Sequence, residues 1–239
     1  MEYDVVIVGA GPAGLTTAIK LKQLDPNLSI CILEKGSEVG AHILSGNVFE
    51  TKALDELIPN WRNENAPIKT KVSKEKFLFL GKKSSLSWPT WLLPAVQKNH
   101  KNYIISLANF CRWLAEQAEK LGVEIFPGFP ASEVLYNDDG SVKGVATLDM
   151  GLDKEGNKKD TYQEGMELHA KVTVFSEGCR GHLGKQLIKK FNLNEGKNPQ
   201  QYGIGLKEIW EVSEQQHQEG LVMHTAGCPL DSKTYGGSF

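Results

Sequence analysis

The chain has 239 residues, 40% of them hydrophobic, enough to bury a sizeable core as one large domain or two smaller ones. Its 27 basic and 29 acidic residues leave a formal net charge of −2 with no long basic block, which argues against a nucleic-acid partner. Cys31, Cys111, Cys179 and Cys228 are scattered without a CxxC pair, which argues against a metal or cluster site on them and fits a reducing compartment.

An apolar run begins soon after Met1, leaving no room for a signal or transit peptide, and no apolar stretch reaches membrane-spanning length. The reading is a chain that starts in the cytosol. Residues 5–8 are a continuous β-branched run, the pattern of a buried parallel strand, and lead straight into Gly9-Ala10-Gly11-Pro12-Ala13-Gly14. A helix over roughly residues 13–24 follows, closed by Asp25-Pro26-Asn27, and residues 29–33 form a second strand ending at Glu34. Strand, glycine turn, helix and strand make one βαβ unit.

The three glycines suit the three tasks of a dinucleotide fingerprint: a tight turn, close backbone approach to a pyrophosphate, and close helix-to-strand packing. Backbone N–H groups at the helix start, around Pro12 and Ala13, would hold the phosphates. Glu34 lies about twenty residues on, followed by Lys35, and its carboxylate can accept both ribose hydroxyls while repelling the 2′-phosphate of NADP.

Farther along, Ile104, Leu107, Ala108, Cys111, Ala115, Ala118 and Leu121 recur at helical spacing, with Gly122 placed to cap the end. Residues 123–126 are a strand. Residues 134–136 and 142–148 flank Asn137-Asp138-Asp139-Gly140 as a hairpin, and a second hairpin turns near residues 153–157, together forming a small β-meander. Residues 171–175 are the next strand, and Ser176-Glu177-Gly178-Cys179-Arg180-Gly181 is a second glycine-containing exit into a helix over about residues 182–191. Flavoproteins of the glutathione-reductase type insert such a meander and return with a second glycine contact, so FAD is favoured over NAD, with Gly178 and Gly181 as further cofactor contacts. Glu177 and Arg180 are candidates for the flavin diphosphate or simply solvated charges. Cys179 with His182 has too few neighbours for a metal. The histidines form no triad, so no catalytic side chain is assigned. From residue 196 onward the character changes, and residues 202–212, 221–225 and 235 onward look like strands of a different sheet.

Several runs go beyond the generic fingerprint: Gly40-Ala41-His42-Ile43-Leu44-Ser45-Gly46, Asp138-Asp139-Gly140-Ser141-Val142-Lys143-Gly144, Glu177-Gly178-Cys179 with Gly181-His182-Leu183, Tyr202-Gly203-Ile204-Gly205-Leu206-Lys207-Glu208 and Thr234-Tyr235-Gly236-Gly237-Ser238-Phe239. On these the chain resembles the electron-transfer-flavoprotein:ubiquinone oxidoreductases. The resemblance implies an α/β, glutathione-reductase-type, Rossmann-like FAD-binding domain with an inserted β-meander, formed by residues 1–69 and 100–195. It implies an inserted loop or membrane-facing segment at 70–99, and the first strands of a second, α+β quinone-binding domain at 196–239. It further implies electrons passing from reduced electron-transfer flavoprotein to ubiquinone, with Gly236 and Gly237 beside the quinone.

The resemblance also implies a monotopic or peripheral place on the membrane surface, at the cytoplasmic face of a bacterial inner membrane. A membrane-dipping segment is expected near residues 39–60, with Trp88, Trp91, Leu92 and Leu93 adding apolar surface. Since the chain would end before the family's second Gly-Asp flavin contact and its cluster cysteines, the [4Fe-4S] cluster is expected only in a carboxy-terminal part. The chain alone is not expected to complete the reaction. The competing readings are a geranylgeranyl-reductase-like flavoprotein and a non-catalytic fragment that binds nucleotide or a partner.

Overall fold

The structure, a computed structural model, describes residues 1–44, 46–231 and 234. The chain opens with β1 (Glu2–Val8), α1 (Pro12–Leu24) and β2 (Ile30–Glu34), followed by β3 (Asn47–Phe49), α2 (Lys52–Leu57), β4 (Thr70–Lys71), β5 (Lys74–Leu80), β6 (Ser85–Trp88) and β7 (Tyr103–Ile105). It continues through α3 (Leu107–Lys120), β8 (Glu124–Pro127), β9 (Ala131–Tyr136), β10 (Val142–Thr147), β11 (Met150–Leu152) and β12 (Lys158–Gln163). β13 (Glu167–Phe175), α4 (His182–Lys190) and β14 (Leu221–Gly227) complete it. The described residues form two compact units, one from 1–44 and 107–206, the other from within 45–106 and 207–239. Residues 45–69 and 70–99 therefore fall in the same unit as residues 207 onward.

The first unit is built on a six-stranded sheet in the order β8-β2-β1-β13-β10-β9. The first four strands run parallel, and β10 and β9 extend the sheet antiparallel beyond β13. Val5, Val6, Ile7 and Val8 are all buried, because a central parallel strand is covered on both faces and tolerates no polar alternation. On one face Val6, Val8, Cys31 and Leu33 pack with Val134, Val145 and Leu168 and with Leu183 and Leu187 of α4. On the other lie α1 and α3, which contact each other. α1 buries Gly14, Leu15, Ala18, Ile19 and Lys22, a single stripe at helical spacing. Burial of Leu15 or Ile19 contributes about 1.5–3 kcal/mol each. Buried Lys22 spends its ammonium on the carbonyls of Pro26 and Leu28, at 2.8 and 2.9 Å, and so locks the turn into β2.

Two expectations change in detail. The helix predicted from residue 104 starts instead at Leu107, because residues 103–105 form β7 and pair with β3 and β4. The meander is divided: β9 and β10 join the main sheet, whereas β11 and β12 pair only with each other. Both predicted turns are present, with Asp139 accepting from the Ser141 N–H and hydroxyl and Asp153 from the N–H groups of Glu155 and Asn157. At the outer end of β1, Asp4 accepts from the Ser29 N–H and hydroxyl and pairs with Lys171 at 2.7 Å. The lysine, followed by the serine contacts, holds this carboxyl well below the usual carboxylate range. Cys31 and Cys111 are buried, and burial, reinforced by Glu124 and Glu34 respectively, pushes each thiol up to about 12, so neither is a nucleophile at neutral pH.

The second unit holds two three-stranded sheets, β3-β7-β4 and β14-β5-β6, with α2 and short 3-10 turns. β14 runs parallel to β5, from Leu221 beside Lys74 to Gly227 beside Leu80. Of the two nearby stretches expected to be strands, residues 221–225 lie in β14, but residues 202–212 carry no regular structure. Most of the 202–212 backbone is exposed, and among the described residues no neighbouring strand satisfies it. No helix among the described residues is long and apolar enough to cross a membrane.

Candidate functional site

The carboxyl ends of β1 and β13 open onto a cleft of about 810 Å³ that lies wholly within the first unit. Its walls bring together most residues singled out in the sequence: Gly9, Gly11, Pro12 and Ala13 from the first turn, Glu34 and Lys35 from the end of β2, and Gly178 and Gly181 from the second turn. Clefts of this size and position, outside the carboxyl ends of parallel strands, are where α/β sheets bind nucleotides. Gly14 does not line the cleft. It lies beneath it, and a Cβ there would run into the Gly9 carbonyl oxygen and approach Ile7 Cγ2 to 3.2 Å. Gly9 itself has φ +104 and lies so close to β13 that a Cβ would come within 2.6 Å of the Ser176 oxygen.

Gly11 is different. It is the N-cap of α1, with φ −77 and ψ 179, a conformation open to any residue, and a Cβ there would meet nothing within 4 Å. The space a side chain would fill belongs to the cleft. No side chain caps α1 and its first turn has no acidic residue. Pro12 has no N–H to donate, and the first-turn N–H groups of Ala13 and Gly14 have no preceding helical carbonyl to reach. The positive end of the helix dipole thus faces a cleft and is a ready anion site.

Glu34 stands across from this end. Its Oε2 accepts the Ala10 N–H at 3.0 Å and its Oε1 accepts the Gly36 N–H at 2.7 Å, so the backbone fixes the carboxylate before any ligand arrives. A carboxylate has about four lone-pair positions, and two backbone bonds leave capacity for two hydroxyls.

The second glycine turn is built for another task. Glu177 curls back on α4: its Oε1 accepts the Leu183 N–H at 3.2 Å, its Oε2 the Gly184 N–H at 2.7 Å, and His182 Nδ1 lies 3.3 Å from Oε1. Its side chain is only 9% exposed. The start of α4 is already occupied by an anion, whereas the start of α1 has no side-chain cap, so of these two helix N-termini the one left to a ligand is that of α1. The alternative of a Glu177 contact to a diphosphate is therefore disfavoured, and the alternative of a solvated charge is wrong because the group is buried and bonded. Arg180 lines the cleft with its guanidinium 5.1 Å from the Tyr202 ring centroid. Glu177→Ala should lower stability by about 1–2 kcal/mol by leaving two helix N–H groups unmet. Glu177→Gln, which keeps an acceptor oxygen, should lose about half as much in urea denaturation.

Sequence reasoning missed several wall residues as cleft residues, among them His42, Ile43, Leu107, Pro130 and Phe175. Of these only His42 and Ile43 carry a signal, as part of the Gly40-to-Gly46 run. The loop that carries them is anchored by Glu38 to Arg112 at 2.8 Å. Gly40 passes so close to α3 that a Cβ would come within 2.8 Å of the Ala108 oxygen. Gly236 and Gly237 lie outside the described residues. Among the described residues no group of three or more His, Cys, Asp or Glu side chains is placed to hold a metal.

Comparison with known proteins follows this geometry. A family model described as "ETF-QO, ubiquinone-binding" matches residues 202–239, and one described as the Thi4 family matches residues 1–57. Over the full chain the sequence is 55% identical to electron transfer flavoprotein-ubiquinone oxidoreductase of Pseudomonas aeruginosa. It is 55% identical to the mitochondrial protein of that name from Oryza sativa subsp. japonica and 51% identical to the one from Homo sapiens. The chain covers 44%, 42% and 39% of these proteins, so it spans about two fifths of the length of the curated relatives it matches. Among solved structures, the flavin-dependent brominase Bmp2 aligns over 80% of this chain and 41% of its own at TM-score 0.53 and 18% identity. Thermovibrio ammonificans THI4 aligns over 80% and 63% at TM-score 0.51 and 18% identity. At that identity the likeness is one of fold.

Proposed function

We propose, from the premise that this chain belongs to the electron transfer flavoprotein-ubiquinone oxidoreductase family, that it is the FAD-holding portion of an oxidoreductase passing electrons from reduced electron-transfer flavoprotein to ubiquinone. The observation that carries the proposal is the uncapped N-terminus of α1 opening onto a nucleotide-sized cleft with the fixed Glu34 carboxylate across it. The N–H groups of Ala13 and Gly14 bind the diphosphate and Gly11 admits it. Glu34 takes the ribose hydroxyls, with Gly9, Pro12, Lys35, Gly178 and Gly181 as the surrounding wall. Bound FAD supplies the electron-carrying ring; the chain positions it and excludes a 2′-phosphorylated nucleotide through the charge on Glu34.

The remaining parts of the reading follow from the family. Ubiquinone is met by the second unit with Gly236 and Gly237, and a [4Fe-4S] cluster is assigned to the relatives' length that this chain does not span. Cys31 and Cys111 are sealed in the core with their protons held, which makes them poor cluster ligands. The protein works at a membrane surface, at the cytoplasmic face of a bacterial inner membrane. The apolar surface for that contact is better supplied by residues 79–96 than by 39–60. Phe79, Leu86, Trp88, Trp91, Leu92 and Val96 are exposed and Leu93 is buried, whereas in 39–60 Leu44 is exposed and Val39 and Leu54 are buried.

The test is anaerobic addition of reduced electron-transfer flavoprotein to the full-length, FAD-loaded protein. The visible flavin absorbance should bleach and then return on addition of a short-tailed ubiquinone. Flavin that stays oxidised beside a competent donor would assign the cleft to a different reaction.

A further inference from the structure

Reduction of ubiquinone to its quinol adds two electrons and two protons, one O–H for each carbonyl oxygen, and an apolar quinone site admits little water to bring the protons. Within residues 202–239, the stretch similar to the ubiquinone-binding family model, the regular element among the described residues is β14. The titratable side chain in β14 is that of His224.

β14 runs parallel to β5 with Val222 beside Glu75 and His224 beside Phe77, so strand alternation puts these four side chains on one face of the sheet. The His224 ring is tilted 33° from that of Phe77, with centroids 6.3 Å apart. Val222 is buried, and Phe77 and His224 are half-buried, so the imidazole borders an apolar floor.

One of its ring nitrogens is committed. His224 Nε2 lies 3.3 Å from Asn99 Nδ2. Asn99 is itself held at three points: its N–H donates to Glu75 Oε1 at 2.7 Å, its Oδ1 accepts from Asn102 Nδ2 at 3.0 Å, and its Nδ2 donates to the Gln97 carbonyl at 3.3 Å. With Oδ1 taken by Asn102, the amide turns an N–H toward the imidazole. Nε2 therefore accepts, and the proton of the neutral ring sits on Nδ1. Nδ1–H has no hydrogen-bond partner among the described residues. A half-buried N–H whose ring is fixed through its other nitrogen calls for an acceptor that the protein itself does not supply.

We propose that His224 is a proton donor to ubiquinone, giving its Nδ1 proton to a quinone oxygen, and that Asn99 is the positioning residue that sets its tautomer. The Nδ1–H bond breaks as the quinone O–H forms. Nε2 takes a proton from water in exchange and releases the Asn99 amide, which keeps the Gln97 carbonyl, so the ring ends neutral with its proton on Nε2. The two electrons are those that the proposed activity delivers, and the other quinone oxygen, at the opposite end of the ring, is protonated from solvent. This rests on the ubiquinone reading above and adds to it the group that moves the proton.

The experiment follows flavin reoxidation by stopped flow in the full-length, FAD-loaded protein after reduction by electron-transfer flavoprotein. One arm uses a short-tailed ubiquinone, which takes protons with its electrons, and the other uses ferricyanide, which takes electrons alone. In the unmodified protein the ubiquinone step should slow in D2O and the ferricyanide step should not. H224A should slow the ubiquinone step about 100-fold, the low end of what a positioned acid supplies, and recover part of it with added imidazole, while ferricyanide reoxidation holds its rate. N99A, which keeps the ring but frees its tautomer, should fall between H224A and the unmodified protein. A wild-type ubiquinone step in H224A, or equal slowing toward both acceptors, would overturn the proposal and leave the ubiquinone reading intact. Reduced flavin that ubiquinone fails to reoxidise even in the unmodified protein would overturn both. Should H224A not fold, the unmodified protein decides, since a ubiquinone step as fast in D2O as in water would overturn the proposal.

Discussion

Gly11→Val should leave the protein folded and strip it of flavin. A side chain at Gly11 meets no atom of the protein within 4 Å, and the backbone there is extended, the region β-branched residues favour. The cost to the fold is the lost N-cap preference, about 0.5–1 kcal/mol. The cost to a ligand is far larger, since the isopropyl group fills the space through which a diphosphate must reach the Ala13 and Gly14 N–H groups. Flavin affinity should fall by about 100-fold or more, on the order of 3 kcal/mol, which is what losing two charge-assisted hydrogen bonds amounts to. Denaturation midpoint and flavin content, measured on one preparation, separate the two effects.

Gly14→Ala, three residues away in the same motif, should do the opposite and fail at the level of folding. The added methyl would collide with the Gly9 carbonyl oxygen and crowd Ile7, forcing α1 off β1. Displacing a helix whose Leu15, Ala18 and Ile19 are buried in the core costs about 3 kcal/mol, or about 10 °C in Tm for a unit of this size. Flavin is lost here as well, but only because the platform is lost. A Gly11 variant that unfolds, or a Gly14 variant that keeps its stability, would contradict the assignment of one glycine to ligand access and the other to packing.

What the sequence made legible was local. The order of β1, glycine turn, α1, β2 and Glu34 follows from residues within one βαβ unit, each acting on near neighbours. The turns at Asn137 and Asp153 were likewise set by side chains bonding their own backbone. What stayed hidden was the partner across space. Residues 202–206 set apolar side chains at alternate positions as a strand should, yet a strand needs a neighbour to take its backbone bonds, and none is supplied among the described residues. β5 pairs with β14 across well over a hundred residues, a register no local pattern encodes. Glu177 shows the same limit at one side chain: a charge beside a glycine turn has one sequence whether it faces a ligand or folds back to cap α4, and only the packing of Gly181 and Gly184 against it decides.

The most direct test of the central claim is a crystal structure of the full-length protein with FAD bound. The account predicts the diphosphate against the first-turn N–H groups of α1, with the ribose hydroxyls on Glu34 and Glu177 still bonded to the Leu183 and Gly184 N–H groups. A diphosphate seated instead at the start of α4, with Glu177 displaced, would contradict it.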